Sequence, residues 1–454
     1  MFLVVFVTLL NAMGSSNGFL NPTRISVGGA VPVGLLDLCI GIAFLWAIFR
    51  GGNAQMAYPR LRMHPLIPWL MALWGIAWVG GTIGSLGVYA PLREILQSMR
   101  DYGFMPICIF IGYRALATPR SSQAMAYWVL IAGVGNAIML LVRFYEASGR
   151  VQIESDNVNP LRQIDYMTAY CSIGFVLCVY SVMSGLRIVR PWLAACLGSL
   201  CLLGACASVS RTTLVCIFFG LLALYWLLPR GKRAAGMFKM ALLAPVIALS
   251  LWGGLTVASD LTHRDFSKVM SKQIESLLPE SEDNGKKDKA WDTRLPSLKL
   301  ELQLFSSSPL FGRGFTSVTE YIAHGGVNWG AFGHNSYTLV MARTGLFGLG
   351  ALGLTIGSSI VLGRRMVREQ VDRPSILLGA VGFIAGCNIL VSAGCTMMFG
   401  ARGAIYFALM CGLMIRAREI QETTRELNTG ALPLADEYET DLDVSHHLDV
   451  APYL

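Results

Sequence analysis

Arginine and histidine side chains at the ends of apolar segments are the residues best suited to chemistry in this sequence. Arg211 follows an apolar run, in the sequence VSRTT at 209–213, and His334 precedes another, in GHNSY at 333–337. A guanidinium near a bilayer is costly without an anionic partner, and its planar fork suits phosphate. A neutral imidazole can accept a proton near neutral pH. These residue types indicate group transfer on a phosphate-bearing substrate.

Two structural interpretations stand beside that functional one. Arg211 could be an interfacial arginine whose side chain only reaches toward water, and His334 could cap the helix that follows it. Two or three arginines from the outer loops are nevertheless expected to converge on one anionic ligand, while others pair with neighbouring acids such as Asp101. The arginines of the predicted outer loops are Arg93, Arg100, Arg143, Arg162, Arg211, Arg294 and Arg313.

The elements that carry these residues are predicted to be membrane-spanning helices. Of 454 residues, 54% are hydrophobic and only 14% are charged. Soluble domains carry about 25% charged residues, so this composition excludes an ordinary soluble enzyme as well as a disordered chain. The apolar residues form runs of about 20, which predicts an all-α polytopic membrane protein with about twelve transmembrane helices. The runs lie near 1–20, 31–49, 65–87, 104–119, 121–142, 167–186, 191–209, 212–229, 240–258, 336–363, 375–397 and 399–415.

Basic residues in alternate loops predict the orientation. One set of loops is rich in Lys and Arg with few acids, whereas the other set is nearly balanced in charge, so the first set is expected in the cytoplasm. Both termini are then cytoplasmic and the long polar loop is outside, which in a Gram-negative cell would be the periplasm. The net charge of +8 is explained by these loops and does not indicate a nucleic-acid partner.

Four regions follow from this topology. They are helices 1–9 of the membrane domain at 1–258, a large periplasmic loop with short helices at 259–335, transmembrane helices 10–12 at 336–416, and an acidic, disordered cytoplasmic tail at 417–454. The run at 336–363 contains Thr344-Gly345 and is expected to break near its start.

One amphipathic helix is predicted inside the large loop. Asp292 or Thr293 is a possible N-cap, and four apolar residues follow at helical spacing. The alternation of leucines from 298 to 304 would also suit a strand, but Pro296 in the first turn favours a helix. This helix is expected to lie along the bilayer surface. The four apolar residues are Leu295, Leu298, Leu302 and Phe305.

Several absences narrow the chemistry. The Asp-x-Asp pattern occurs at 441–443, on the predicted cytoplasmic side, and no histidine pair has metal-ligand spacing. The sequence therefore predicts neither a metal site nor a cofactor. Because nucleotides are absent outside the membrane, an outer reaction needs a group already activated on a lipid pyrophosphate. Clustered arginines are a natural match for such a group.

With these motifs in place, the sequence resembles the O-antigen ligase and polymerase superfamily. The SRT sequence at 210–212 is similar to the family's arginine before the loop-bearing helices. Arg294, with LQLF at 302–305 and SPLFGRGF at 308–315, resembles its loop arginine and glycine turn. HNSY at 334–337 with TGLFG at 344–348 resembles its last motif. The resemblance is most specific across residues 205–365. The first 200 residues resemble the family only in their predicted membrane topology. Arg343 stands where the family often has an acidic residue.

The resemblance implies an inverting, metal-independent membrane glycosyltransferase of the GT-C class. Such an enzyme moves a glycan from undecaprenyl pyrophosphate to an acceptor sugar hydroxyl on a glycolipid or glycan. By position, Arg211 and Arg294 would bind the pyrophosphate and stabilise the leaving group, and His334 would accept the acceptor proton or position the hydroxyl. The candidate substrate-binding arginines are Arg211, Arg294, Arg313, Arg343, Arg162 and Arg93.

Three activities within the family and two outside it stay open at this point. The chain could be a ligase, a polymerase that joins lipid-linked repeats, or a relative that glycosylates proteins. From other classes, a transporter or flippase of a lipid-linked glycan would use the same arginines without catalysis, and a structural subunit of an export complex would need none of them. We find no internal repeat of the kind that transporters often have.

Overall fold

The computed structural model describes the chain in thirteen segments that are helical apart from one short hairpin. The hairpin pairs β1 (Ile25–Val27) with β2 (Val31–Val33) in antiparallel register, Ile25 opposite Val33. The predicted all-α architecture is therefore confirmed, and the predicted span at 1–20 lies outside the described residues. These residues are 25–27, 31–33, 35–49, 63–86, 92–115, 119–150, 165–186, 188–208, 210–262, 289–315, 335–369, 372–395 and 403–428.

The helices follow the predicted apolar runs closely. Those before the large loop are α1 (Leu35–Phe49), α2 (Leu66–Leu86), α3 (Leu92–Arg114), α4 (Pro119–Arg150), α5 (Asp165–Ser184), α6 (Pro191–Ala207), α7 (Arg211–Leu227) and α8 (Arg233–Thr262). The loop contributes α9 (Lys289–Ser307), and α10 (Ser336–Glu369), α11 (Arg373–Cys395) and α12 (Gly403–Asn428) come after it.

Five described stretches are long and apolar enough to cross a membrane, and four shorter helices are apolar along their length. The five are Leu66–Leu86, Gln123–Val142, Arg230–Gly254, Ser336–Glu369 and Arg373–Gly394, and the shorter ones are Asp37–Phe49, Thr168–Ser184, Pro191–Ala207 and Thr212–Leu227. The chain is thus a helical membrane protein. The count of twelve spans stays a prediction.

Several helices are longer than their apolar runs, and α3 and α12 extend furthest at one end. α3 begins at Leu92 rather than near 104, and one of its early residues, Arg100, forms ion pairs with Asp101 at 3.1 Å and with Asp37 of α1 at 3.5 Å. α12 continues to Asn428, so the prediction that disorder starts at 417 is wrong for residues 417–428. Hydropathy missed both extensions because they contain charged side chains, several of which form ion pairs.

The extension of α12 is held by charged side chains within the helix and across it. Arg416 pairs with Glu419 at 2.7 Å, and Arg418 pairs with Glu422 at 2.6 Å, both at helical spacing. Arg418 also bonds Glu369 at the end of α10, and the Tyr113 hydroxyl at the end of α3 lies 3.2 Å from Glu419. Acids that look like a solvated tail in the sequence therefore join three helices.

The two ends of the helix bundle differ in character. The end just described, which we call the basic end, also brings His64 at the start of α2 close to Glu422. The opposite end, the turn end, joins the close of α2 to the early parts of α3 and α10, where Tyr102 and Arg343 lie. The assignment of the basic end to the cytoplasm remains a prediction.

Candidate functional site

The helix after the large loop is broken near its beginning, as the sequence predicts. Gly345 has φ 65° and ψ −157°, outside helical geometry, although helix continues on both sides of it. Such a φ is readily adopted by glycine alone. A break of this kind leaves the carbonyls before it and the amides after it without helical partners.

The glycine turn at 308–315, here called the docking turn, supplies those missing partners. The amides of Arg313 and Gly314 donate to the carbonyls of Ala342 and Arg343, at 2.8 and 3.1 Å. In return, the amides of Leu346 and Phe347 donate to the carbonyls of Pro309 and Leu310, at 2.8 and 3.4 Å. The turn and the break therefore complete each other's backbone hydrogen bonds, and this fixes the loop to the membrane domain.

The docking turn also rests on the end of α2. The Phe315 amide donates to the Ser85 hydroxyl at 2.7 Å, and that hydroxyl donates to the Gly81 carbonyl at 2.7 Å. Gly80 and Gly81 lie against the rings of Phe311 and Phe315, where a Cβ on either glycine would come within 2.7 Å of ring carbon. The motif residues at 308–315 thus have structural roles, and they bring α2 and α10 together.

Substitution of Ser85 tests how much this anchor stabilises the fold. Ser85→Ala leaves the Phe315 amide buried without an acceptor, which costs about 1–3 kcal/mol. We expect the free energy of unfolding in detergent to fall by about that amount. The matched control is Ser306→Ala on α9, because the exposed Ser306 hydroxyl bonds only to Gln303 of its own helix, and a change of under about 0.5 kcal/mol is expected there. Equal effects of the two substitutions would contradict the anchor.

A buried polar cluster lies beside the docking turn, between α3, α9 and α10. Glu301 is 2% exposed and Arg343 is 8% exposed. The Thr338 hydroxyl donates to one Glu301 carboxylate oxygen, and the Arg343 guanidinium lies 6.0 Å from the centre of the Tyr102 ring. The Tyr102 ring packs on Phe315 at 5.1 Å. Both charges are therefore held away from water in the region where the loop joins the membrane domain.

The pKa of Glu301 is raised, chiefly because burial disfavours the carboxylate. The hydrogen bond from Thr338 and the charge of Arg343 lower it by a smaller amount. No ion pair within 4 Å joins Glu301 to Arg343 among the described residues. A carboxyl with a raised pKa holds a proton more readily than an exposed acid does.

The start of α10 shows what the HNSY motif does locally. The Asn335 side-chain oxygen accepts hydrogen bonds from the amides of Tyr337 and Thr338, at 2.9 and 3.3 Å. Asn335 is therefore the helix cap, and the interpretation of His334 as that cap is wrong. His334 itself lies outside the described residues, so its role as base stays a prediction, but its neighbour fixes where the chain enters the helix.

For the other predicted site residues, the structure describes the side chain in two cases and only the backbone in three. Arg313 lies in the docking turn with an exposed side chain, and Arg343 is in the buried cluster. Arg211 is the first residue of α7, Arg294 lies in the early part of α9, and Arg93 lies in the first turn of α3. The side chains of these last three, and Arg162 altogether, fall outside the described residues. The structure brings the Arg313 and Arg343 backbones together and leaves the rest untested.

An apolar groove runs along α2 and ends at the docking turn. Its volume is about 710 Å³, and small or branched apolar residues line it on the α2 side. Gly80, Ile83 and Gly84 lie where the groove reaches Ser308 and Gly312. A groove with few polar atoms beside a membrane helix suits a hydrocarbon chain rather than a polar solute.

The fold and the site define a class of protein: a helical membrane protein whose extramembrane loop docks through a glycine turn into a broken helix. Residues 169–353 match the family model described as O-antigen ligase. The matched region runs from α5 through the docking turn to the break in α10, so this part of the chain is similar to the O-antigen ligase family. A search of curated proteins gives no match.

Sequence reasoning missed two members of the buried cluster. Glu301 stands among the leucines of α9 and looks like a solvent-facing residue, yet it is buried while Leu302 is 43% exposed. Tyr102 precedes the apolar run at 104–119, directly after Arg100 and Asp101, and has no motif of its own. The one signal available was the spacing from Leu298 to Glu301 to Leu304, which places the acid on a face whose other end, Leu304, is buried.

Proposed function

We propose that this chain is a lipid-linked glycan transferase that takes a glycan from undecaprenyl pyrophosphate and joins it to an acceptor sugar hydroxyl, with ligase activity favoured over polymerase activity. The observation that carries the proposal is the docking turn inside the region similar to the O-antigen ligase family, bound into the break of α10 at the end of an apolar groove. The groove suits the polyprenyl chain, and Arg313 directly follows Gly312, which lines the end of the groove.

The proposed reaction uses no metal, and side chains of this protein accept the proton and stabilise the leaving group. The acceptor hydroxyl attacks the anomeric carbon with inversion while the bond from that carbon to the pyrophosphate oxygen breaks. His334 takes the hydroxyl proton, and undecaprenyl pyrophosphate leaves with the electron pair. Arg211 and Arg294 stabilise the charge that develops on it. Arg313 and Arg343, with Arg93 and Arg162, are the further candidates for binding the substrate.

The proposed location follows from the basic end of the bundle. Clusters of arginine there include Arg233 and Arg364, both close to Arg368, and basic residues favour the cytoplasmic side. The turn end is then periplasmic, in the inner membrane, and both termini are cytoplasmic. An active face on the periplasmic side matches a donor that is already activated on a lipid.

A strain lacking this chain separates the proposed activities. We expect long glycans to accumulate on the lipid pyrophosphate while the final acceptor stays bare, as measured by gel electrophoresis and mass spectrometry of both pools. Single repeats on both pools would instead identify a polymerase, and loss of glycan from a protein alone would identify protein glycosylation. Normal glycan in every pool would contradict transfer and favour a transporter or a structural subunit.

A further inference from the structure

Three buried polar atoms in the cluster between α3, α9 and α10 have no hydrogen-bond partner. They are Oε1 of Glu301, Nε of Arg343 and the hydroxyl oxygen of Tyr102. Buried polar atoms are nearly always hydrogen-bonded, because an unpaired one loses its water without compensation. Three such atoms in one cluster therefore indicate a site that a polar group fills.

The three groups belong to one cluster and influence one another. The Arg343 guanidinium lies 6.0 Å from the Tyr102 ring centre and is near the hydroxyl, but the hydroxyl oxygen has no hydrogen-bond partner in good geometry. Glu301 and Arg343 both interact electrostatically with Tyr102. The second Glu301 oxygen is already used by Thr338, so Oε1 is the oxygen that remains.

The chemistry of the three atoms specifies what they would bind. A carboxylate oxygen only accepts, an arginine Nε–H only donates, and a phenol does either. The complementary ligand must donate and accept at the same place, which an alcohol does and a phosphate or an ammonium does not. Nearby, Thr338 ties this cluster to the first turn of α10, four residues after His334.

We propose that Glu301, Arg343 and Tyr102 bind a hydroxyl group of the acceptor sugar, with Glu301 accepting its hydrogen bond. This inference rests on the proposed glycan transfer and names the site of its acceptor. Glu301 holds the hydroxyl, and Arg343 and Tyr102 donate to its oxygen.

The pH dependence of acceptor binding follows from the burial of Glu301. The charged groups facing the carboxyl are Arg343 from α10 and, beyond Tyr102, Asp101 of α3, which pairs with Arg100. Because burial raises the pKa of Glu301, protonation removes the accepting carboxylate at a higher pH than for an exposed acid. Acceptor KM should therefore rise as pH falls toward that pKa, and the donor KM should not follow it.

The test uses the full chain in lipid nanodiscs with undecaprenyl-pyrophosphate-linked glycan and a sugar acceptor. Glu301→Gln keeps the side-chain size and an oxygen for Thr338 but replaces the carboxylate. We expect its acceptor KM to rise about 10- to 100-fold, its donor KM to change less than about twofold, and the acidic rise in acceptor KM to disappear. The control is Glu422→Gln, at the basic end, which should retain all three wild-type values.

Other outcomes overturn the inference without touching the proposed function. If wild type transfers glycan and Glu301→Gln keeps its acceptor KM and its pH profile while only its melting temperature shifts, the cluster holds an ordered water only. Equal increases in donor and acceptor KM would place Glu301 outside the acceptor site. If wild type itself transfers nothing under conditions where it is folded, the proposed function fails instead.

Discussion

Gly345→Ala is expected to abolish both stable insertion and activity. Alanine at φ 65° is strained, and its Cβ would overlap the Leu310 carbonyl of the docking turn. Backbone strain of about 1–3 kcal/mol adds to the loss of the hydrogen bonds between turn and break. The expected total is about 3 kcal/mol or more, a large part of the stability of a typical domain.

The same helix offers a matched control for that substitution. Gly350 lies in regular helix five residues after the break, and a Cβ there would meet nothing within 4 Å. Alanine also favours helix over glycine by about 1 kcal/mol. Gly350→Ala should therefore be at least as stable as wild type, measured by thermal unfolding in detergent and by the amount of folded protein in the membrane. Equal stability of Gly345→Ala and Gly350→Ala would disprove the role of the break.

Arg211→Ala and Arg294→Ala are expected to lower kcat/KM about 100- to 1,000-fold with the protein still folded. The proposed mechanism has both guanidinium groups stabilise charge on the leaving pyrophosphate, and loss of one such group in a transition state has an effect of this size. Lysine at either position keeps the charge and loses the fork, so Arg294→Lys should recover only part of the rate.

The control for the arginines is Arg190→Ala. Arg190 is exposed and precedes α6 in a loop of the predicted cytoplasmic side. We expect unchanged kcat/KM there, measured with the same lipid-linked donor. A similar loss for Arg190→Ala, or full activity of both Arg211→Ala and Arg294→Ala, would show that the outer arginines do not stabilise the leaving group.

The features that could be predicted from sequence are those with a local physical cause. The break near Thr344-Gly345 follows from glycine inside an apolar run, and the helical nature of α9 follows from the helical spacing of its apolar residues. Both are confirmed. The predicted start of α9 is wrong, because the helix begins at Lys289, so neither Asp292 nor Thr293 caps it and Pro296 lies beyond its first turn. The membrane class follows from composition, since 14% charge leaves little polar surface.

The features that sequence could not supply depend on partners far along the chain. Glu301 is buried where α9 packs against α10, whose Thr338 donates a hydrogen bond to it and whose Arg343 interacts with it electrostatically. No local sequence pattern predicts that contact. The continuation of α12 depends on the pairing of Arg418 with Glu369, 49 residues earlier. Motif residues also proved ambiguous: in GHNSY it is Asn335 that caps the helix, which leaves His334 available for another role.

Reconstituted transfer tests the central claim most directly. The purified chain in nanodiscs would receive undecaprenyl-pyrophosphate-linked glycan and an acceptor glycolipid in the presence of EDTA, with His334→Ala in parallel. We predict that wild type releases undecaprenyl pyrophosphate in step with a mass gain on the acceptor by one glycan, and that His334→Ala does neither. Folded wild-type protein that moves the lipid-linked glycan across the membrane but never joins it to the acceptor would contradict the account.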